Sequence, residues 1–210
     1  MRGVVVAGIG TGVGKTLVSA VLCEALGADY WKPVLSGTED GPADDDMIVP
    51  LLEGGSGRVH PSAYRFRLPL SPHAAAAAEG REVALDTLVL PSAARPLVVE
   101  LAGGVLVPLS DWHTNMDLMA RFALPVIVVS RHYLGSINHT LLTLEALRGR
   151  GIGVAGVVFN GSELADSERI ITRLGQVRAI GSIPEVGEVS AQAVRSLTRR
   201  ITLPRELLAP

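Results

Sequence analysis

The stretch Gly8-Ile9-Gly10-Thr11-Gly12-Val13-Gly14-Lys15-Thr16 constrains this chain more than any other. An apolar run, Gly3-Val4-Val5-Val6-Ala7, leads into it, and a helical pattern leaves it over residues 17–22. Strand, glycine-rich turn, Lys-Thr and helix in that order spell a phosphate-binding loop, or P-loop. Glycines let successive backbone N–H groups turn inward around a phosphate, and the start of a helix adds partial positive charge. In such a loop Lys15 reaches the β- and γ-phosphates, and the Thr16 hydroxyl takes a place on Mg²⁺. The usual spacing, G-x-x-x-x-G-K-[ST], wants its first glycine where Ile9 stands, and Gly8 comes one residue early. The loop is therefore either one residue longer than standard or begins at Gly10. A glycine-rich turn without a ligand is the bland alternative, and the strand before and the helix after weigh against it.

A chain of 210 residues suits a single domain over 1–210, long enough to bury a substantial core. With 48% hydrophobic and 19% charged residues it reads as globular without a disordered tail. A formal charge of −2 offers no electrostatic reason to expect nucleic acid or an anionic membrane as partner. Cys23 is the only cysteine, which excludes an internal disulfide and a cysteine-rich metal site; it reads as a small buried hydrophobe. Cleaving the N-terminus as a signal peptide would destroy the loop, and no apolar stretch reaches the ~18 residues needed to span a bilayer. The expectation is a soluble cytoplasmic protein.

The first helix is expected to end near Gly27, followed by a short strand over residues 29–34 and a polar loop from Ser36. Asp44-Asp45-Asp46 opens a further helix, where carboxylates serve as caps and dipole partners. A metal ligand among the three is an equal reading on spacing alone. Residues 54–67 read as irregular. Ser71-Pro72-His73 reads as an N-cap and first-turn proline before the alanine run at 74–78, with His73 a surface residue or part of a site lining. Residues 96–100 form a buried-strand pattern that ends on Glu100, the place of a Walker-B-type carboxylate beside a P-loop, so Glu100 is expected at a magnesium site. Strands at 124–130, 154–160 and 178–183 alternate with helices at 140–150, 164–174 and 191–199. That alternation implies an α/β fold of three layers, a mostly parallel sheet with helices on both faces. Ligands bind beyond the C-terminal strand ends of such sheets, where Thr11, Lys32, Glu100, Ser130 and Asn160 fall. Taken alone, Lys32 reads as an exposed strand-end lysine, and Ser36, Asn138 and Asn160 as turn or cap residues.

Together these stretches resemble the dethiobiotin synthetase family, ATP-dependent ring-closing enzymes of biotin synthesis. The longer loop Gly8-x5-Gly14-Lys15-Thr16 with Thr11 inside it is similar to that family's loop. So are Lys32-Pro33-Val34-Leu35-Ser36-Gly37, Asp46, Ser71-Pro72-His73 and Val99-Glu100-Leu101-Ala102-Gly103-Gly104 with Pro108-Leu109-Ser110-Asp111. Leu134-Gly135-Ser136-Ile137-Asn138-His139 is the most distinctive match, and Ala155-Gly156-Val157-Val158, Asn160 and Ile183-Pro184 complete a series in order to about residue 188. The chain departs from the pattern at Leu101, where a glycine is expected and a side chain would crowd the metal, at Tyr133, in a short first helix and in a short C-terminal region.

The resemblance implies a P-loop NTPase-type fold and Mg²⁺- and ATP-dependent closure of 7,8-diaminopelargonic acid with CO₂ or bicarbonate to dethiobiotin. It implies Lys15, Lys32, Thr11 and Ser36 as catalytic residues, and Thr16, Asp46 and Glu100 as magnesium ligands. The nucleotide would meet Gly12, Val13, Gly14, Lys15, Thr16 and Leu17, with Asn160 and Pro184 at the base and Glu188 at the ribose. The substrate would meet Thr11, Lys32 and Ser36, and its carboxylate Gly135, Ser136, Ile137 and Asn138 of the neighbouring subunit in a homodimer. The competing reading is a P-loop switch ATPase of the septum-positioning or partition type, acting through protein partners. That class carries a second lysine early in the loop, where this chain has Gly10.

Overall fold

Val4, Val5 and Val6 are all fully buried although successive strand residues face opposite ways, so the first strand needs cover on both sides. The computed structural model, which describes residues 2–39 and 41–208, supplies it. Strand β1 (Gly3–Gly8) is followed by α1 (Lys15–Leu26), β2 (Asp29–Trp31), β3 (Val34–Ser36), α2 (Asp44–Ile48), β4 (Val59–His60), β5 (Tyr64–Phe66) and α3 (Pro72–Ala78). The second half runs β6 (Leu97–Gly104), α4 (Asn115–Phe122), β7 (Val126–Arg131), α5 (Ser136–Gly149), β8 (Val154–Asn160), α6 (Ala165–Leu174), β9 (Ala179–Ile183) and α7 (Ala191–Leu197). Seven strands form one parallel sheet in the order β4-β2-β6-β1-β7-β8-β9, and β3 pairs with β5 in a small parallel sheet of its own.

Two apolar clusters lie on the two faces of the large sheet. Val5 faces one, which α3, α4, α5 and α6 cover with residues such as Ala75, Met119, Leu144 and Ile171. Val4 and Val6 face the other, covered by α1, α2 and α7 through Val18, Leu22, Ile48 and Val194. This is the expected three-layer α/β arrangement. Among the described residues no helix is long and apolar enough to cross a membrane.

Four local readings change. The strand expected over 29–34 is two strands, because Pro33 has no N–H for the ladder; its carbonyl instead accepts from the Ala63 and Tyr64 N–H groups at 3.0 and 3.1 Å. The irregular stretch 54–67 contains β4 and β5. Helix α5 begins at Ser136 rather than 140, since Gly135, at φ 103°, takes the left-handed cap position. Helix α4 stands where the sequence pattern above places no element. Its signature is a capping box in which the Thr114 side chain accepts from Met116 N and Asp117 Oδ2 accepts from Thr114 N at 2.7 Å.

Candidate active site

The P-loop connects the central strand to α1, and its glycines take backbone forms that side chains resist. Gly12 and Gly14 sit at φ 70° and 90°. A Cβ on Gly14 would land on the Asn160 amide. No side chain caps α1 and no acid lies in its first turn, so the N–H groups there face an anion unopposed. Side chains from neighbouring strand ends pin the loop: Asn160 Nδ2 donates to Val13 O at 2.9 Å, and Arg131 Nη1 to Gly12 O at 3.2 Å. Lys15 Nζ donates to Gly10 O at 2.9 Å. Burial draws the Lys15 ammonium down to about 8, against the upward pull of Glu100 and Asp44.

That value has a measurable consequence. Below pH 8 the free protein carries the Lys15 charge, and it loses the charge as pH rises through 8. ADP affinity is therefore expected to fall between pH 7.5 and 9.5, as binding of the anion comes to require proton uptake. Calorimetry across that range checks it, and Lys15→Arg, which cannot deprotonate, should flatten the profile.

Beside the loop lies a buried ionic cluster. Strand β2 pairs with β6 through Tyr30 and Val98, then Trp31 and Val99, which brings the next residues, Lys32 and Glu100, side by side. Lys32 Nζ reaches Glu100 Oε1 at 2.9 Å and also pairs with Asp44 Oδ2. Thr16 Oγ1 donates to Asp44 Oδ1 at 2.8 Å, with Glu100 Oε1 a second acceptor at 3.2 Å. Tyr30 OH donates to Glu100 Oε2 at 3.1 Å. Burial works against the Lys32 charge, but Glu100 and Asp44 outweigh it and hold its pKa above the ordinary lysine value. Burial likewise works against the Asp44 charge, and Lys32 and Thr16 outweigh it, so Asp44 titrates below the usual carboxylate range. Burial, then Glu100, pushes Tyr30 well up.

Three expectations need correcting here. Lys32 is not an exposed strand-end lysine; it is 6% exposed. Asp46 is not beside Thr16: its side chain accepts from Ala43 N at 3.3 Å and is 63% exposed. Successive helical residues point about 100° apart, so only one of the three aspartates can face the loop, and it is Asp44. Leu101 does not crowd the cluster. It follows Glu100 within a strand that runs on to Gly104, so its side chain points to the opposite face, into the core under α3 and α4.

Thr16, Asp44 and Glu100 offer only oxygen. Among the described residues no three His, Cys, Asp or Glu side chains group as a metal cage. Two carboxylates and a hydroxyl beside a phosphate loop suit Mg²⁺, which takes its remaining ligands from phosphate oxygens and water. The donor set fits the ion.

A cavity of about 550 Å³ joins these groups, with Thr11, Lys15, Lys32, Ser36 and Asp44 in its wall. The Ser36 hydroxyl is buried there without a hydrogen-bond partner among the described residues. Gly135, Ser136, Ile137 and Asn138 line a different opening, at the start of α5. They do not line the phosphate cavity. Val13 is buried, so only its backbone faces the loop, and Leu17 is half-buried in α1. Pro184 and Glu188 lie between β9 and α7.

A family model described as an AAA domain matches residues 2–193. An ATP-dependent dethiobiotin synthetase of Nitrobacter hamburgensis is 46% identical over 192 residues, covering 91% of this chain and 90% of that protein. The chain belongs to the dethiobiotin synthetase family. A second dethiobiotin synthetase, of Novosphingobium aromaticivorans, is 47% identical over 92% of this chain and 93% of its own length. Among solved structures, a ParA family ATPase from Chlorobium tepidum aligns with TM-score 0.52 at 12% identity, covering 99% of this chain and 98% of its own. The MinC:MinD cell division protein complex of Aquifex aeolicus gives TM-score 0.53 at 15% identity, covering 95% of each chain. At those identities the likeness is one of fold alone, which this dethiobiotin synthetase family member shares with both.

Proposed function

We propose that the chain closes 7,8-diaminopelargonic acid with CO₂, drawn from bicarbonate, to dethiobiotin at the cost of ATP. The reading rests on two buried lysines, Lys15 and Lys32, brought from different strand ends to one cavity beside the Thr16, Asp44 and Glu100 oxygens. One substrate amine adds to CO₂ and gives up a proton, forming a carbamate. A carbamate oxygen attacks the γ-phosphorus, and the bond to the departing ADP breaks, leaving a carbamic–phosphoric anhydride. The second amine attacks the carbamoyl carbon and expels phosphate, which closes the ureido ring. No protein nucleophile is needed.

Carbamate and γ-phosphate are both anions, so their encounter requires fixed positive charge in a cavity closed to water. Lys15 and Lys32 supply it. Thr11 and the buried Ser36 hydroxyl hydrogen-bond the carbamate or the moving phosphoryl group. Thr16, Asp44 and Glu100 would hold Mg²⁺, whose charge offsets that of the phosphates. The backbone from Gly12 to Leu17 cradles the phosphates, Asn160 and Pro184 meet the adenine, and Glu188 the ribose. Gly135, Ser136, Ile137 and Asn138 at the start of α5 would meet the distal carboxylate of a substrate held by the other subunit; the Ile137 and Asn138 N–H groups have no backbone acceptor among the described residues, while Ser136 N donates to Tyr133 O at 3.0 Å. Their separation from the phosphate cavity within one chain supports that assignment. The family resemblance supports a cytoplasmic homodimer.

Incubation with the diamine, bicarbonate and Mg-ATP is expected to yield dethiobiotin, ADP and phosphate in equal amounts. ADP release indifferent to the diamine would overturn the proposal and favour a switch ATPase. Activity in a species that sediments as a monomer would overturn the dimer.

A further inference from the structure

Helix α2 does not aim Asp44 by itself. It has five residues, far below the length at which a helix holds its own shape, and Ala43 at its N-cap offers no side-chain acceptor. Ile48 anchors its far end in the core, and a second contact bears on the rotation of its first turn. Asp45, 8% exposed, pairs through Oδ2 with Arg65 Nη1, and Arg65 Nη2 lies 3.7 Å from Asp46 Oδ2. Asp45 Oδ1 accepts from Asp46 N at 3.0 Å, tying the two acids together. Arg65 belongs to β5, which pairs with β3 so that Leu35 faces Arg65 and Ser36 faces Phe66. One small sheet therefore holds both the Ser36 hydroxyl and the arginine that grips α2.

We infer that Arg65 is a positioning residue for the cation site: by gripping Asp45 and Asp46 it sets the rotation of α2 that turns Asp44 toward Thr16 and Lys32. This rests on the reading of Thr16, Asp44 and Glu100 as the magnesium-holding set. Turning α2 by a single residue, about 100°, would withdraw Asp44 and present a neighbour. Without the arginine, Asp45 is a buried carboxylate lacking its counter-charge, and it gains by swinging out to water, which is that turn. The side chain of Arg65 is itself 44% exposed, so its loss bears on this rotation more than on overall stability.

The test is ADP binding by calorimetry with and without Mg²⁺, for wild type, Arg65→Ala, Arg65→Lys and Asp45→Asn, with thermal melts of each. Wild type is expected to bind ADP more tightly when Mg²⁺ is present. Arg65→Ala should keep its metal-free affinity and lose about tenfold or more of the Mg²⁺-dependent gain, the usual scale for residues that orient metal ligands. Arg65→Lys, which keeps one contact, should recover part of that gain, and Asp45→Asn should fall between wild type and Arg65→Ala. An undiminished gain in Arg65→Ala would overturn the inference, and so would an equal loss with and without the metal. A wild type whose ADP affinity ignores Mg²⁺ would overturn the cation-site reading beneath it, a result distinct from either.

Discussion

Lys32→Met is expected to lower dethiobiotin formation by a factor of about 10²–10³, the range for removing one preorganised electrostatic contact to a transition state. The loss should appear in product formation and have a thermodynamic counterpart. In the folded chain Lys32 lies between Glu100 and Asp44, and its removal leaves two carboxylates facing each other with no counter-charge between them. Breaking a buried pair in this way costs about 3–5 kcal/mol, a fall in melting temperature of roughly 6–20 °C for a chain of this size. Mg²⁺ should return part of the stability, because a cation can satisfy the same carboxylates. It should return none of the turnover, because the charge proposed to face the carbamate is gone. Full turnover in Lys32→Met would overturn the two-lysine account.

The second large effect is on stability alone. Arg58 is 7% exposed and closes the C-terminal end of α1. Its Nη1 reaches Glu24 Oε1 at 2.7 Å and Glu53 O at 3.0 Å, its Nη2 donates to Cys23 O at 2.8 Å, and its Nε to Ala28 O at 3.2 Å. Arg58→Met leaves the Glu24 carboxylate with no counter-charge and only the Glu53 N–H at 3.2 Å, and takes a donor from the Glu53 and Ala28 carbonyls, at a cost of about 3–5 kcal/mol in chemical denaturation. Adding Glu24→Leu should restore part of it, since an apolar pair replaces a buried ion pair with half its partners missing. ADP affinity of the folded variants should change little, because the loop lies at the other end of the helix. A single variant as stable as wild type would show that water takes over the guanidinium's bonds.

Local patterns made most of the fold legible. A strand apolar on both faces, a glycine turn and a helical period are each written within a few residues, and so is the acid at position 100 in an otherwise apolar strand. What stayed hidden depends on neighbours distant in sequence. Lys32 looks like a surface residue until β2 is laid beside β6, which puts Glu100 against it. Choosing Asp44 over Asp46 requires the rotation of a helix too short to show a period of its own. The hold of Asn160 and Arg131 on the loop carbonyls depends on the order of β1, β7 and β8. Helix α4 was legible in principle from Thr114-x-x-Asp117, but that box sits after a polar turn that masks the start of the apolar pattern. The expectation that Leu101 crowds the metal failed because it took Glu100 for the last residue of a strand that continues to Gly104.

The place of β1 in the sheet also bears on how the chain is made. Its flanking strands are β6, which begins at Leu97, and β7, which begins at Val126. The glycine loop precedes both in the chain, yet until residue 97 has been made β1 has no strand to pair with. Parallel pairing across such separations forms slowly and leaves apolar strands open to other chains meanwhile. Fragments that stop before residue 97 should therefore retain no ADP and aggregate through that strand. The phosphate loop, whose signature precedes both of those strands in the chain, is completed only once they have been made.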